Sequence, residues 1–168
     1  MSSDDSKQWI PAYVGLGSNL HGPARQIEVA FRLLGKIPAT RVVKQSSLYR
    51  SVPFGGVEQP DFVNAVASLL TQLTAPELLL ELQRIETERG RDRGEVRWGP
   101  RVLDLDLLVY SNRTIDEPGL SVPHPGIGER NFVLLPLREI APDIDIPGLG
   151  RLSELDADSV EPKISRIG

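Results

Sequence analysis

The sequence predicts an α+β fold with a largely antiparallel sheet. Three observations carry that prediction. Segments at about 12–16, 41–50, 62–73 and 103–110 read as strands, from apolar alternation or from β-rich runs. Two segments, after Pro23 and after Thr74, place apolar residues at helical spacing. The order strand, helix, strand, strand, helix, strand is that of the ferredoxin-like βαββαβ core. Helices are expected on one face of the sheet, with a C-terminal extension (111–168) packed around its rim.

The elements follow in order. YVGLG forms the first strand and ends at Gly15 and Gly17. Pro23 suits the first turn of a helix, because its missing N–H has no intrahelical partner there. Ile27, Ala30, Phe31 and Leu34 then make one apolar stripe, and Gly35 closes it. TRVVKQSSLYRS is the second strand, and SVPFGGVEQPD a Pro- and Gly-rich loop. In the third strand Val63, Ala65, Ala67, Leu69 and Leu73 line one face, while Phe62 and Asn64 begin the other. Thr74 with Glu77 three residues on makes a capping box around Pro76. Leu78, Leu79, Leu82 and Ile85 form the buried stripe of that helix. In the last strand Leu103, Leu105, Leu107 and Val109 alternate with Asp104, Asp106, Leu108 and Tyr110. One core face and one working face result.

Composition excludes several classes. The chain has 168 residues, 40% hydrophobic and 25% charged, which suits one soluble domain. We expect a flexible tail over 1–8 and a single domain over 9–168. A net charge of −4 argues against a nucleic-acid or anionic-membrane binder. Without cysteine there is neither a disulfide framework nor a thiolate metal site. No apolar run reaches membrane-span length, and MSSDDSKQ is unlike a signal peptide, so a cytoplasmic protein is expected. A monomer with small-molecule substrates is expected as well. GLGSN lacks the third Gly of a dinucleotide fingerprint, and GxxxxGK[ST], HExxH and GxSxG are absent.

The acidic pair is the strongest local signal. Asp104 and Asp106 share one strand face, their Cα atoms roughly 6–7 Å apart. A solvent-facing strand edge is the plain explanation, but strands disfavour Asp and the flanking residues are very apolar. Two close carboxylates repel unless a cation or proton intervenes. Mg²⁺ uses one or two carboxylates and completes its shell with phosphate oxygens and water. A pair of such ions fits a polyphosphate.

Arginines gather beside that pair. Of 15 in the chain, six lie between 84 and 101: Arg84, Arg89, Arg91, Arg93, Arg97 and Arg101. Arg84, Arg89 and Arg97 suit solvated surface roles, Arg84 with Glu88 at i, i+4. Guanidinium forks on Arg91, Arg93 and Arg101 match phosphate oxygens. Gly90, Gly94 and Gly99 make their loop a candidate lid, mobile when free and closing over a bound polyphosphate. Trp98 is either an anchor into the core or part of that lid. His124 and Arg130, six residues apart, suit another phosphate, whereas His21 suits a surface loop. Phe62 and Phe132 are either core residues or the walls of a site for a flat heterocycle, with Asn64 donating and accepting hydrogen bonds.

YVGLGSN, SSLYRS, QPDFVNA, RIETERGR, RWGPRVLDLDLL, VPHP, ERNFVLLPL and EIAP run in order from about 13 to 142. Together they resemble the 6-hydroxymethyl-7,8-dihydropterin pyrophosphokinase family, and RWGPRVLDLDLL is its most specific stretch. The resemblance implies transfer of the β,γ-diphosphate of ATP, the co-substrate, to the hydroxymethyl oxygen of the pterin, releasing AMP. It implies two Mg²⁺ on Asp104 and Asp106, and catalytic roles for Arg91 and Arg101. Gln83, Glu86, Arg93, Trp98, Arg101, His124 and Arg130 would bind ATP. Gly17, Ser51, Val52, Phe54, Phe62, Asn64, Asp104 and Phe132 would bind the pterin.

The chain departs from the family at Ser51-Val52, where Thr-Pro is frequent, and at Phe62, where Tyr is frequent. Gly94 stands where Lys is common, and Gly126 and Gly128 where larger residues are common. Two other classes remain to be separated. A two-metal nucleotidyl transferase would release pyrophosphate rather than AMP. A non-catalytic ferredoxin-like ligand-binding module would show no turnover.

Overall fold

The computed structural model describes residues 8–53, 58–90, 102–155 and 164–167. Strand β1 (Ile10–Ser18) leads to helix α1 (Pro23–Leu34), which begins at the expected proline. Gly22 precedes it at φ 75, a left-handed turn that favours glycine. Ile27, Ala30, Phe31 and Leu34 are all buried, as their spacing requires.

The single strand expected at 41–50 is two strands, β2 (Thr40–Gln45) and β3 (Leu48–Ser51). Both lie antiparallel along β4 (Phe62–Thr71). Ser46 sits at the break. Its N–H donates to the Val66 carbonyl and its hydroxyl accepts from the Val66 N–H, both at 2.9 Å. A serine side chain thus replaces a backbone partner where the ladder is interrupted.

Helix α2 (Ala75–Glu88) opens with the full capping box of Thr74 and Glu77. Arg84 meets Glu88 at 2.8 Å, as its spacing suggests, and also Glu81. Strand β5 (Asp104–Tyr110) closes the other side of the sheet by pairing with β1. The C-terminal part adds a hairpin of β6 (Ile115–Glu117) and β7 (Leu120–Val122), then helix α3 (Asn131–Ile140). A small hairpin of β8 (Asp145–Ile146) and β9 (Gly150–Arg151) follows. Strand β10 (Ile164–Ile167) returns to the far edge, so the order is β10-β3-β4-β1-β5 with β2 also on β4. The neighbouring strands are antiparallel throughout.

The larger core lies between the sheet and α1 and α2. Ala12, Val14 and Leu16 of β1, Val63, Ala65, Ala67 and Leu69 of β4, and Leu105 and Leu107 of β5 meet Leu78, Leu82 and Ile85 there. Each fully buried large aliphatic side chain stabilises by about 1.5–3 kcal/mol.

Two further expectations need correction. The first concerns β5. Tyr13 pairs with Val109 and Val14 with Leu107, so Leu108 is an extra residue in a bulge. Leu108 and Val109 therefore both enter the second core, and Tyr110 turns to the first, reversing the alternation expected for Val109 and Tyr110. The Tyr110 hydroxyl donates to the Leu73 carbonyl at 2.6 Å.

The second concerns the C-terminal extension, expected at the rim: α1 and α2 share one face as expected, but α3 of the extension lies on the other. Val133, Leu134 and Leu137 of α3 pack on Val66, Leu108 and Val109, on the side opposite α1 and α2. Val66 and the bulged Leu108 give that face an apolar hold, and α3 occupies it. Among the described residues no helix is long and apolar enough to cross a membrane.

Candidate active site

The part of the second face that α3 leaves uncovered holds the residues of interest. Antiparallel register puts directly opposed residues on one face. One row across the sheet is Asp104, Gly17, Asn64 and Tyr49, and the next contains Asp106, Gly15 and Val66. Both β1 positions are glycines, but the Leu108 side chain closes over Gly15, 3.4 Å from where a Cβ would stand, so the open strip between β5 and β4 lies at Gly17. A Cβ on Gly17 would lie 3.4 Å from Asn64 Oδ1 and 3.9 Å from Phe62 Cδ1. Asp104 and Asn64, two strand spacings apart, are separated at their Cα atoms by roughly 10 Å. Gly17 makes a flat floor between them.

Asn64 is only 4% exposed, and its Nδ2 donates to the Ser51 hydroxyl at 2.7 Å. That bond directs Oδ1 toward Gly17. Phe62 is half-buried opposite Ser51 in the register of β3 and β4. Val52, just past the end of β3, is exposed. Phe132, in the first turn of α3, is likewise half-buried, with the Arg130 guanidinium 5.9 Å from its ring centroid.

His124 is fixed from both ends. Its N–H donates to the Leu108 carbonyl at 2.8 Å, and its Nδ1 accepts from the Gly126 N–H at 3.0 Å. With Nδ1 an acceptor, the ring proton is on Nε2. Burial lowers the pKa of His124, the Arg130 charge lowers it further, and Asp104 opposes both. The ring is therefore neutral at pH 7. Gly126 gives Arg130 room to pass: a Cβ there would come 2.9 Å from Arg130 Nε.

Gln83 and Glu86 stand elsewhere, on α2 and one turn apart. Glu86 is 5% exposed and accepts the Leu105 N–H at 2.8 Å. β5 is an edge strand, so half of its N–H groups face away from β1, and Glu86 captures one. It thereby holds the stretch between Asp104 and Asp106 from behind. Gln83 is half-buried. Phe54, Arg91, Arg93, Trp98 and Arg101, with the lid expected over 90–99, lie outside the described residues, apart from Gly90 itself.

The donor set suits the ion expected of it. Among the described residues no three His, Cys, Asp or Glu cluster as a protein-only metal cage. Two carboxylates on an open floor match a hard cation that draws its remaining ligands from phosphate and water.

One group escaped the sequence reading. Glu139 of α3 accepts from the Ser47 N–H at 3.0 Å, from the Ser47 hydroxyl at 3.0 Å and from the Tyr49 hydroxyl at 2.7 Å. Both partners lie in SSLYRS and Glu139 begins EIAP, but no local pattern links segments some 90 residues apart.

Residues 13–142 match the family model for 7,8-dihydro-6-hydroxymethylpterin-pyrophosphokinase (HPPK). The chain is 44% identical over 158 residues to the 2-amino-4-hydroxy-6-hydroxymethyldihydropteridine pyrophosphokinase of Haemophilus influenzae, covering 94% of this chain and 98% of that one. Its counterpart of the same name from Pseudomonas aeruginosa is 49% identical over 143 residues, covering 85% of this chain and 88% of that one. A likeness of fold alone extends to wild-type Plasmodium falciparum HPPK-DHPS with pteroate, at TM-score 0.70 and 15% identity. That match covers 88% of this chain but only 42% of the longer Plasmodium chain. Similarity this extensive, running through the strands that carry the acidic pair and the glycine floor, makes the chain a member of the 7,8-dihydro-6-hydroxymethylpterin-pyrophosphokinase family.

Proposed function

We infer that the protein transfers the β,γ-diphosphate of ATP to the hydroxymethyl oxygen of 6-hydroxymethyl-7,8-dihydropterin and releases AMP. The observation that carries this reading is the row Asp104, Gly17, Asn64, with Asp106 on the same face. It sets a polyphosphate-metal end and a heterocycle end on one floor. Phe62 and Phe132 stack on the two faces of the pterin, and Asn64 reads its edge through an amide that Ser51 orients. Gly17 keeps the floor low, Val52 stands just past the end of β3, and Phe54 would contribute a further contact to the pterin.

Mg²⁺, two ions in this reading, would be held by Asp104 and Asp106 and would neutralise charge on the transferred group. The chain's own residues do the remainder by positioning. His124 donates from Nε2 to a phosphate oxygen while Gly126 fixes its ring. Arg130 meets the same polyphosphate, and Arg91 and Arg101 stabilise the equatorial oxygens of the group in transfer. Gln83 and Glu86 serve the nucleotide side, and Arg93 with Trp98 belongs to a loop that closes over ATP. Such transfers depend on orientation and charge rather than on a covalent intermediate.

The strand order supports reading the core as ferredoxin-like, in one pyrophosphokinase domain over 9–168. We place the protein in the cytoplasm as a monomer that takes small-molecule substrates and neither nucleic acid nor membrane. The test is incubation with ATP, Mg²⁺ and hydroxymethyl-dihydropterin, identifying the nucleotide product. AMP formed only with the pterin is the expected result. Pyrophosphate release, or no turnover, would sink the reading.

A further inference from the structure

We propose that Glu139 is a positioning residue for the pterin site. It sits at neither the acidic pair nor the floor, yet it ties together the two elements that build the pterin's walls. On one side it belongs to α3, which carries Phe132. The two residues are seven apart, two helical turns, and so lie on the same side of the helix. On the other side its carboxylate takes three donors from β3 and its entry: the Ser47 N–H, the Ser47 hydroxyl and the Tyr49 hydroxyl.

Tyr49 is no remote attachment point. It is directly opposite Asn64 in the β3–β4 register, in the same row as Gly17 and Asp104. Two residues further, Ser51 accepts the Asn64 amide. Arg166 of β10 approaches Glu139 Oε2 at 3.7 Å from the outer edge. The carboxylate therefore fixes α3 against β3 beside the Ser46–Ser47 break between β2 and β3. It acts on the gap between Phe132, carried by the helix, and Phe62 with Asn64, carried by the sheet. A stacked heterocycle tolerates little error in such a gap, because dispersion contacts weaken steeply with distance.

This inference rests on the pterin reading above. It predicts a selective defect in Glu139→Gln, which keeps the shape and loses the charge on which those hydrogen bonds depend. The pterin KM rises about tenfold, the loss expected when hydrogen bonds to a charged group are weakened. The ATP KM and kcat stay at wild-type values. Tyr49→Phe and Ser47→Ala, each removing one donor, shift the pterin KM the same way by about threefold. They also serve if Glu139→Gln does not fold. A residue that only supported the fold would lower the active fraction, and so kcat, and leave both KM values alone.

Steady-state kinetics with both substrates on all four proteins separate the cases. An unchanged pterin KM in the variants, or equal rises in both KM values, overturns the positioning role and leaves the proposed function standing. A wild-type protein that forms no AMP overturns the proposed function and this inference together.

Discussion

The two faces of the sheet come from the same strands and differ in what their residues are for. On the face under α1 and α2, β1, β4 and β5 present Ala12, Val14, Leu16, Val63, Ala65, Ala67, Leu69, Leu105 and Leu107, and β1 and β4 turn polar only at their last residues, the buried Ser18 and Thr71. On the opposite face apolar Val66 and Leu108 seat α3, and beyond them the rows turn to Asp104, Asp106, Gly17, Asn64 and Ser51. The first face is optimised for burial. The second gives up part of its burial to keep a polar floor open. Changes on the first face should therefore register as stability, and changes on the second as binding or turnover.

The sharpest test takes the residues least suited to a strand. Asp104→Ala and Asp106→Ala should each lower AMP formation by a factor on the order of 10³, the scale set by losing a preorganised electrostatic contact at the transferred group. Their melting temperatures should hold or rise slightly, because one of two repelling carboxylates is gone. A large drop in melting temperature in both would move these residues to the structural side. Leu82→Ala, on the opposite face, should do the reverse. Truncating this fully buried side chain should cost about 2–5 kcal/mol in urea unfolding, with turnover per folded molecule unchanged.

Smaller effects should divide the second face itself. Phe62→Ala and Asn64→Ala should weaken pterin binding by about tenfold and leave ATP binding nearly intact, as loss of a stacking wall or an edge contact would. Phe62→Tyr should be tolerated. Calorimetric titration with each substrate checks this, and equal losses for both substrates would refute the stacking role.

The smallest effect concerns acid. Burial pushes the Glu139 carboxyl up, but the Tyr49 hydroxyl, the Ser47 N–H and hydroxyl, and the Arg166 charge outweigh it and hold the pKa below the ordinary 4.5. Burial first, and then the hydrogen bond to Glu139 and its charge, push the Tyr49 phenol up to about 12. A carboxyl depressed by folding contributes stability that is present above its unfolded pKa and lost as pH falls through the folded one. Wild-type protein should therefore lose stability below about pH 4.5 more steeply than Glu139→Gln does. Parallel acid melts of the two would count against the contribution.

Much of this was legible in the sequence, for reasons that differ by residue. The stripe of Ile27, Ala30, Phe31 and Leu34 and the capping box of Thr74 and Glu77 depend only on neighbours a few positions away. The shared face of Asp104 and Asp106 was readable because strand alternation alone sets it, and the register bears that out. The bulge at Leu108 was not, since it is set by pairing with Tyr13 and Val14, and no residue type marks it. Nor was the position of α3. NFVLLPL is apolar, but Pro136 within it argues against a helix, and nothing local says which face would receive one. The break at Ser46–Ser47 did leave a trace, two adjacent hydroxyls in an otherwise strand-like run, which is chemistry that competes with a ladder. Glu139 was beyond reach, because its meaning lies entirely in partners from another segment.

The glycine floor has a consequence for how the enzyme would respond to inhibitors. Gly17→Ala adds one methyl group, 3.4 Å from Asn64 Oδ1, an ordinary contact that the fold should absorb. In the proposed reading that methyl group nonetheless rises into the space where a flat compound would rest. Steric escape from a pterin-shaped inhibitor at this position would exclude the substrate by the same contact. Selection under such a compound should therefore spare codon 17 and gather its changes at the rim, with exposed Val52 among the first places to look.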